Sequence, residues 1–299
     1  MITAPAGRQL LLQRLDGLRR IPTIPAVLTP LLHYLEQPVE QLDVQKVTDF
    51  LAQDKSLAAQ CLHMANSPLF GRWQKVDSLR GAVVSLGFHH VSDIAMSCGV
   101  LNMLPAGKAG MDPVVFWEHS LGCALVCRHM ARGMHLADPG KAYLAGLLHD
   151  LGIIVNLWVL PAEFRAAFEM AKGEGIPLHE AEERSLGFTH CDSGRLLAEN
   201  WGLPSDLIEV VTYHHAPEQS SRNTGLVALV HIADLLCRMS GLNYGYVEER
   251  QVNLFEDPGF ALLAQDSPSF KNFDWARLTF ELDSYMEEVH GLVGTIYRK

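Results

Sequence analysis

AYLAGLLHDLGIIVNLWVL, residues 142–160, sets His149 and Asp150 side by side inside one of the most apolar stretches of the chain. Its length and spacing suit a buried helical segment better than a strand. An isolated carboxylate in such a run costs more than core packing returns, unless the charge is paired or ligates a metal. The stretch therefore predicts a helical core with a polar site inside it. The partners of Asp150 must come from elsewhere in the chain.

Outward from this stretch, apolar residues recur at a period of about 3.6 and almost never at 2, which predicts an all-α protein. In PAVLTPLLHYLE (25–36), Val27, Leu28, Leu31, Leu32 and Leu35 form one stripe. DVQKVTDFLAQ follows with Asp43 as an acidic cap, and KSLAAQCLHMA leads into the turn-like NSPLFG. Ser78 caps LRGAVVSLG, and a further helix covers about 89–104. PAGKAGMDP (105–113), with two prolines and two glycines, marks an internal boundary. Beyond it a long helix spans 112–134, and later helices open at Asp138, Pro161, Pro177, Thr189 and Pro204. Another helix covers about 225–240. Residues 241–272 read as irregular and turn-rich, and a long helix follows from about Phe273. The expected architecture is two packed helical lobes, 1–108 and 109–243. The second holds the site, and 244–299 supplies an irregular segment and a helix closing against them.

Composition narrows the function. The 299 residues include 24 basic and 34 acidic side chains, a net charge of −10 that repels phosphate backbones and argues against nucleic acid as a partner. Every long apolar run is interrupted, that of 144–160 by His149, Asp150 and Asn156, so no membrane span is expected. The opening residues mix charge into a short apolar run, unlike a signal peptide, and a cytoplasmic location is expected. Cysteines 61, 98, 123, 127, 191 and 237 form no C-x-x-C pair and read as buried, reduced thiols. There is no G-x-S-x-G elbow and no glycine-rich phosphate loop.

Histidine is the unusual residue, with fourteen in the chain. His119 shares a helical face with Val115, Phe116, Cys123 and Val126, so it points inward. Asp234 shares one with Val227, Val230 and Cys237. His149 and Asp150 lie at a helix end before Gly152, and His214 and His215 end SDLIEVVTYHH, where the helix dipole favours a cation. His190 opens a fifth helix. A single histidine on an apolar face is more often core than ligand, but a set on five helices is harder to explain that way. Imidazoles and carboxylates without thiolates form a donor set for iron, manganese, zinc or nickel. His231, three residues before Asp234, reads as a core or rim histidine, with orientation of Asp234 as the alternative. His63, Asn66, His89 and His90 read as structural, capping or surface residues, and Tyr213 and Trp201 as packing near the site.

The order His119, His149–Asp150, Asp234 on helices of an all-α core resembles the HD superfamily of metal-dependent phosphohydrolases. Within it, IPTIP, MANSPLFG, SLRGAVVSLG, YLAGLLHDLG, LGFTHCDSGRLLAENWGLP and YHHAPE, in that order over about 14–240, are similar to the HDOD domain of bacterial signalling proteins. The resemblance implies a divalent-metal centre of one or two ions, iron or manganese ahead of zinc or nickel. One ion would be held by His119, His149, Asp150 and Asp234. A second, as in the related HD-GYP phosphodiesterases, would be held by His190, His214 and His215, with Asp150 bridging. The chain departs from those enzymes in two places. Leu151, Gly152 and Ile153 follow the His-Asp pair without the expected lysine, and APEQSSRNTG replaces the Gly-Tyr-Pro block; the later NYGYVEE stands in the wrong place to serve for it. The expected function is a regulatory signal-transduction protein that binds a signalling partner and retains the metal centre. The alternative is a metal-dependent phosphodiesterase acting on a nucleotide, cyclic dinucleotide or other phosphate-containing ligand, with Asp150 as its catalytic carboxylate. The missing lysine and Gly-Tyr-Pro block lean toward the non-catalytic reading.

Overall fold

A computed structural model describes residues 7, 9, 11–13, 27–35, 37–70, 75–104, 110–249, 252–267 and 269–297. RLDGLRR (14–20), IPTIP (21–25) and residues 105–109 of the boundary stretch lie outside them. The described residues form helices and no strand. The chain falls into two compact units, Thr23–Leu104 with Glu287–Lys299, and Met1–Pro22 with Pro105–Met286.

The first unit contains α1 (Leu28–Leu35), α2 (Val44–Ala52), α3 (Lys55–Ala65), α4 (Leu79–Leu86) and α5 (Phe88–Leu101). Their starts follow the capping residues: Asp43, Asp54 and Ser78 each accept backbone N–H bonds from the first turn. α5 packs on α1 and α3, burying Leu28, Leu31, Leu57, Met64 and Ile94. Asn66 ends α3. Its amide donates to the carbonyls of Leu62 and Val76 at 2.8 and 2.9 Å and accepts from Val76 N–H at 2.8 Å, tying the helix end to the approach to α4.

The second unit contains α6 (Pro113–Met134), α7 (Pro139–Leu148), α8 (Leu151–Val159), α9 (Pro161–Glu174), α10 (Leu178–Leu186), α11 (His190–Asn200), α12 (Ser205–Tyr213), α13 (Thr224–Met239) and α14 (Pro258–Asp266). The long α15 (Trp275–Tyr297) counts with this unit as far as Met286. α6 packs along α7 and α13, and α8 along α11. α14 departs from the irregular reading of 241–272. Asp257 caps it and Pro258 occupies its first turn, a start signal lost among the surrounding turn residues.

The apolar stretch 142–160 is two helices meeting at the His-Asp pair. His149 ends α7, and Asp150 stands at the start of α8 without capping it. Pro139–Val159 has the length and hydropathy of a membrane span, but 89% of its most apolar window is buried inside the protein. Gly152 makes the junction work. A Cβ there would lie 1.7 Å from the His190 carbonyl oxygen and 2.7 Å from Gly194 N, so α8 and α11 touch backbone to backbone. That contact brings Asp150 beside His190.

Candidate metal centre

α6 carries His119, the α7–α8 junction carries His149 and Asp150, α11 begins at His190, α12 runs into His214 and His215, and α13 carries Asp234. The structure gathers all seven. Six of them are 0–1% exposed, and only His215 reaches the rim.

Asp150 divides the group in two. Its Oδ2 faces His149 Nε2 at 3.3 Å and His119 Nε2 at 3.6 Å, and His119 Nε2 lies 3.4 Å from Asp234 Oδ1. Its Oδ1 faces His190 Nε2 at 3.3 Å and His214 Nε2 at 3.6 Å, and His190 Nε2 lies 3.0 Å from His215 Nε2. His149 with Asp150 and His214, and His190 with His214 and His215, each bring their donor atoms within 4.8 Å of one another.

The outer nitrogens show why the inner ones point inward. Nδ1 of His119 donates to the Leu242 carbonyl at 2.7 Å, that of His149 to the Gly146 carbonyl at 2.7 Å, and that of His214 to the Val210 carbonyl at 3.1 Å. His190 Nδ1 donates to Glu182 Oε2 at 2.6 Å. With Nδ1 protonated, a neutral ring presents its lone pair at Nε2. His119 and His149 then bring Nε2 to within 3.3 Å of Nε2, and His190 and His214 to within 3.4 Å, a mutual repulsion unless a proton or another cation lies between them. Asp150 Oδ1 is buried with no hydrogen bond at all. A cation between these atoms relieves the repulsion and satisfies the orphaned oxygen, so the residues fit a divalent metal in each half.

The electrostatics agree. Burial opposes ionisation of Asp150, but His149, His214 and His190 outweigh it and hold the carboxyl well below its ordinary range. Burial opposes ionisation of Asp234 as well, and Arg238 and His119 outweigh it. Burial works against charge on His214, yet Cys191 and Asp150 push it up to about 10. His215 is driven the other way, by burial and by its neighbours His179 and His214. The group thus holds ionised carboxylates that attract positive charge, supplied by protons or by metal.

Several residues at the site were not expected from the sequence. Glu182 of α10 fixes His190 through both Nδ1 and the backbone N–H, and accepts from Asn156 at 3.0 Å. Arg238 binds both oxygens of Asp234, at 2.9 and 3.0 Å, and also reaches Glu248 at 2.5 Å. Its place four residues after Asp234 was a legible signal. His179 stacks on His215 with centroids 4.0 Å apart. The Tyr244 hydroxyl donates to Asp150 Oδ2 and lies 3.3 Å from His119 Nε2. Thiols, left out of the expected donor set, are also present. Cys123 lies 3.5 Å from His119 Nε2 and Cys191 3.9 Å from His214 Nδ1. Burial pushes the Cys123 thiol up, whereas His214 and His190 overcome burial at Cys191 and bring it down to about 6. His231 does not orient Asp234. It donates to the His214 carbonyl at 2.6 Å and pairs with Asp257 at 3.0 Å, bracing the end of α12.

A cavity of about 330 Å³ reaches the rim of the group, lined among others by His179, His215, His231, Arg238, Glu248 and Asp257. Among the described lining residues there is no lysine.

The class this defines is an all-α core that encloses histidines and aspartates from α6, the α7–α8 junction, α11, the end of α12 and α13. The HDOD domain family matches residues 21–217, and the chain belongs to that family. A solved HDOD domain protein of unknown function from Geobacter sulfurreducens is 28% identical, with a TM-score of 0.83 and 97% of each chain covered. A candidate signal transduction protein from Marinobacter aquaeolei VT8 shares the fold at 22% identity and TM-score 0.75, over 97% of this chain and 66% of that one. An uncharacterized protein of Treponema pallidum is 24% identical over 225 residues, 75% of this chain and 43% of that protein. The chain thus spans less than half the length of that curated relative.

Proposed function

We propose that this HDOD chain is a regulatory signalling module of the bacterial cytoplasm. Its seven-residue group holds one or two divalent ions, iron or manganese ahead of zinc or nickel, and a signalling protein is its partner. The observation that carries the non-catalytic reading is the occupation of the carboxylates: Arg238 takes both oxygens of Asp234, and Tyr244 takes Asp150 Oδ2. Hydrolysis at a metal pair needs a position for water or substrate and a positive clamp for the phosphate. Here the inner donors are sealed from solvent, and among the described residues the Arg238 guanidinium at the rim is neutralised by Asp234 and Glu248.

The complete donor set and the cavity beside His215 favour a second reading, a metal-dependent phosphodiesterase. When bound, the ions would polarise a phosphoryl oxygen and activate water. Asp150 would bridge them, and Glu182 would hold His190 in its ligating tautomer.

Elemental analysis of the purified protein beside a His149→Ala, Asp150→Ala variant separates these readings, together with hydrolysis of a phosphodiester by the iron- or manganese-loaded protein. Near-stoichiometric metal that the variant loses, with no turnover, is the expected result. Turnover abolished by the variant would establish the enzyme. A folded wild type that binds no metal would overturn both.

A further inference from the structure

The loop after α13 reaches into the His119 half of the group. His119 Nδ1 donates to the carbonyl of Leu242 at 2.7 Å, and two residues later the Tyr244 side chain turns inward. Gly241 and Gly245, at φ of 100° and 86°, supply the left-handed backbone that lets the chain enter and leave. A Cβ at Gly122 would lie 2.3 Å from the Leu242 side chain, so α6 is cut away where the loop seats. Beyond it, the Tyr246 hydroxyl donates to the Ile176 carbonyl at 3.0 Å, and Glu249 N–H to the Gly175 carbonyl at 2.8 Å. The loop is pinned on both sides of Tyr244 and is built as a fixed part of the site.

A buried tyrosine whose hydroxyl meets a carboxylate is ordinary core chemistry. Tyr244 differs because its oxygen also lies 3.3 Å from His119 Nε2, the ring nitrogen that the Nδ1 bond to Leu242 turns into the site. The phenolic oxygen therefore lies against two donors of this half, Asp150 Oδ2 and His119 Nε2. Catalytic metal sites keep an open position for water, whereas structural ones are filled by protein.

We propose that Tyr244 is a protein-supplied ligand to the ion held in this half, and that it fills the position water would take. This rests on the metal-centre reading above. To hold an ion there Tyr244 would give up the proton it now directs at Asp150 Oδ2, as protein ligands do when they bind cations. The result is a closed centre, suited to structure or sensing.

The test uses the full chain, stripped with chelator, loaded with ferrous iron and oxidised to ferric with ferricyanide. Tyrosinate on ferric iron gives a visible charge-transfer band that histidine and carboxylate ligands do not. The wild type is expected to hold iron and show the band. Tyr244→Phe, loaded with excess ferrous iron, should lose the band in whatever iron it holds, while Tyr246→Phe keeps both iron and band. Resonance Raman excitation of the wild-type band should show phenolate ring modes, a readout independent of how the variants fold. Bound iron without phenolate modes, or a band unchanged in Tyr244→Phe, would overturn the assignment of Tyr244 while leaving the metal centre intact. A folded wild type that takes up no iron would overturn the metal-centre reading and this proposal with it.

Discussion

Replacing Glu182 with glutamine should cost stability and loosen the second half of the centre, and the hydrogen bonds set the size of both effects. Glu182 is fully buried and acts only as an acceptor, from His190 N–H at 2.8 Å, His190 Nδ1 at 2.6 Å and Asn156 Nδ2 at 3.0 Å. Glutamine keeps the shape but turns one acceptor oxygen into a donor. Whichever way its amide faces, a buried N–H meets an NH2 group. Reversing Asn156 only passes the defect to Ser193, whose hydroxyl now donates to Asn156 Oδ1 at 2.6 Å. One stranded buried donor costs about 1–3 kcal/mol, and loss of charge on an acceptor of three bonds favours the upper part of that range. The substitution also weakens the bond that keeps the proton on His190 Nδ1, so metal affinity should fall roughly 10- to 100-fold. Chemical denaturation of metal-free protein measures the first effect, and competition with a chelator the second. A variant within about 0.5 kcal/mol of wild type, with unchanged metal affinity, would refute the claim that Glu182 organises His190.

Gly152→Ala places a Cβ against the His190 carbonyl at 1.7 Å, and denaturation should show a loss at or above the usual overpacking cost of about 1–3 kcal/mol, because the obstacle is backbone. Asn66→Ala strips three hydrogen bonds from the end of α3, and a loss of about 1–3 kcal/mol is expected in the same assay. Asp257→Asn tests the pair that braces α12 while leaving a side chain able to cap α14. Burial opposes ionisation of Asp257, but His231 and the backbone N–H groups of Gly259 and Phe260 hold its carboxyl below the ordinary 3.8. A depressed carboxylate stabilises the fold above its unfolded value and loses that contribution as pH falls through the folded one. The variant should therefore be less stable than wild type near neutral pH, with the gap closing below 3.8. A gap that widens on acidification would show the sign to be wrong.

The all-α class was legible in the sequence because helical periodicity and capping are local. Asp43, Ser78, Asp112, Asp138 and Thr189 stand at helix starts because each side chain meets N–H groups two or three residues ahead. The inward faces of His119 and Asp234 were legible for the same reason, since helical spacing alone assigns a face. The end of α7 at the His-Asp pair was legible too, just before Gly152; what periodicity could not reveal was that a new helix, α8, starts at once at Leu151. Both sides are apolar, so the pattern continues across the junction while the backbone does not.

Tertiary structure alone decided which groups act on one another. Glu182 precedes His190 by eight residues and Tyr244 follows Asp150 by ninety-four, and no local pattern couples either pair. The same holds for His231, which lies near Asp234 in sequence but serves His214 and Asp257 in space. Sequence supplied the donors, because residue type and helical face are written in the nearest few positions. Packing supplied their order, because the orientation of an imidazole depends on whichever carbonyl or carboxylate the fold brings to its far side.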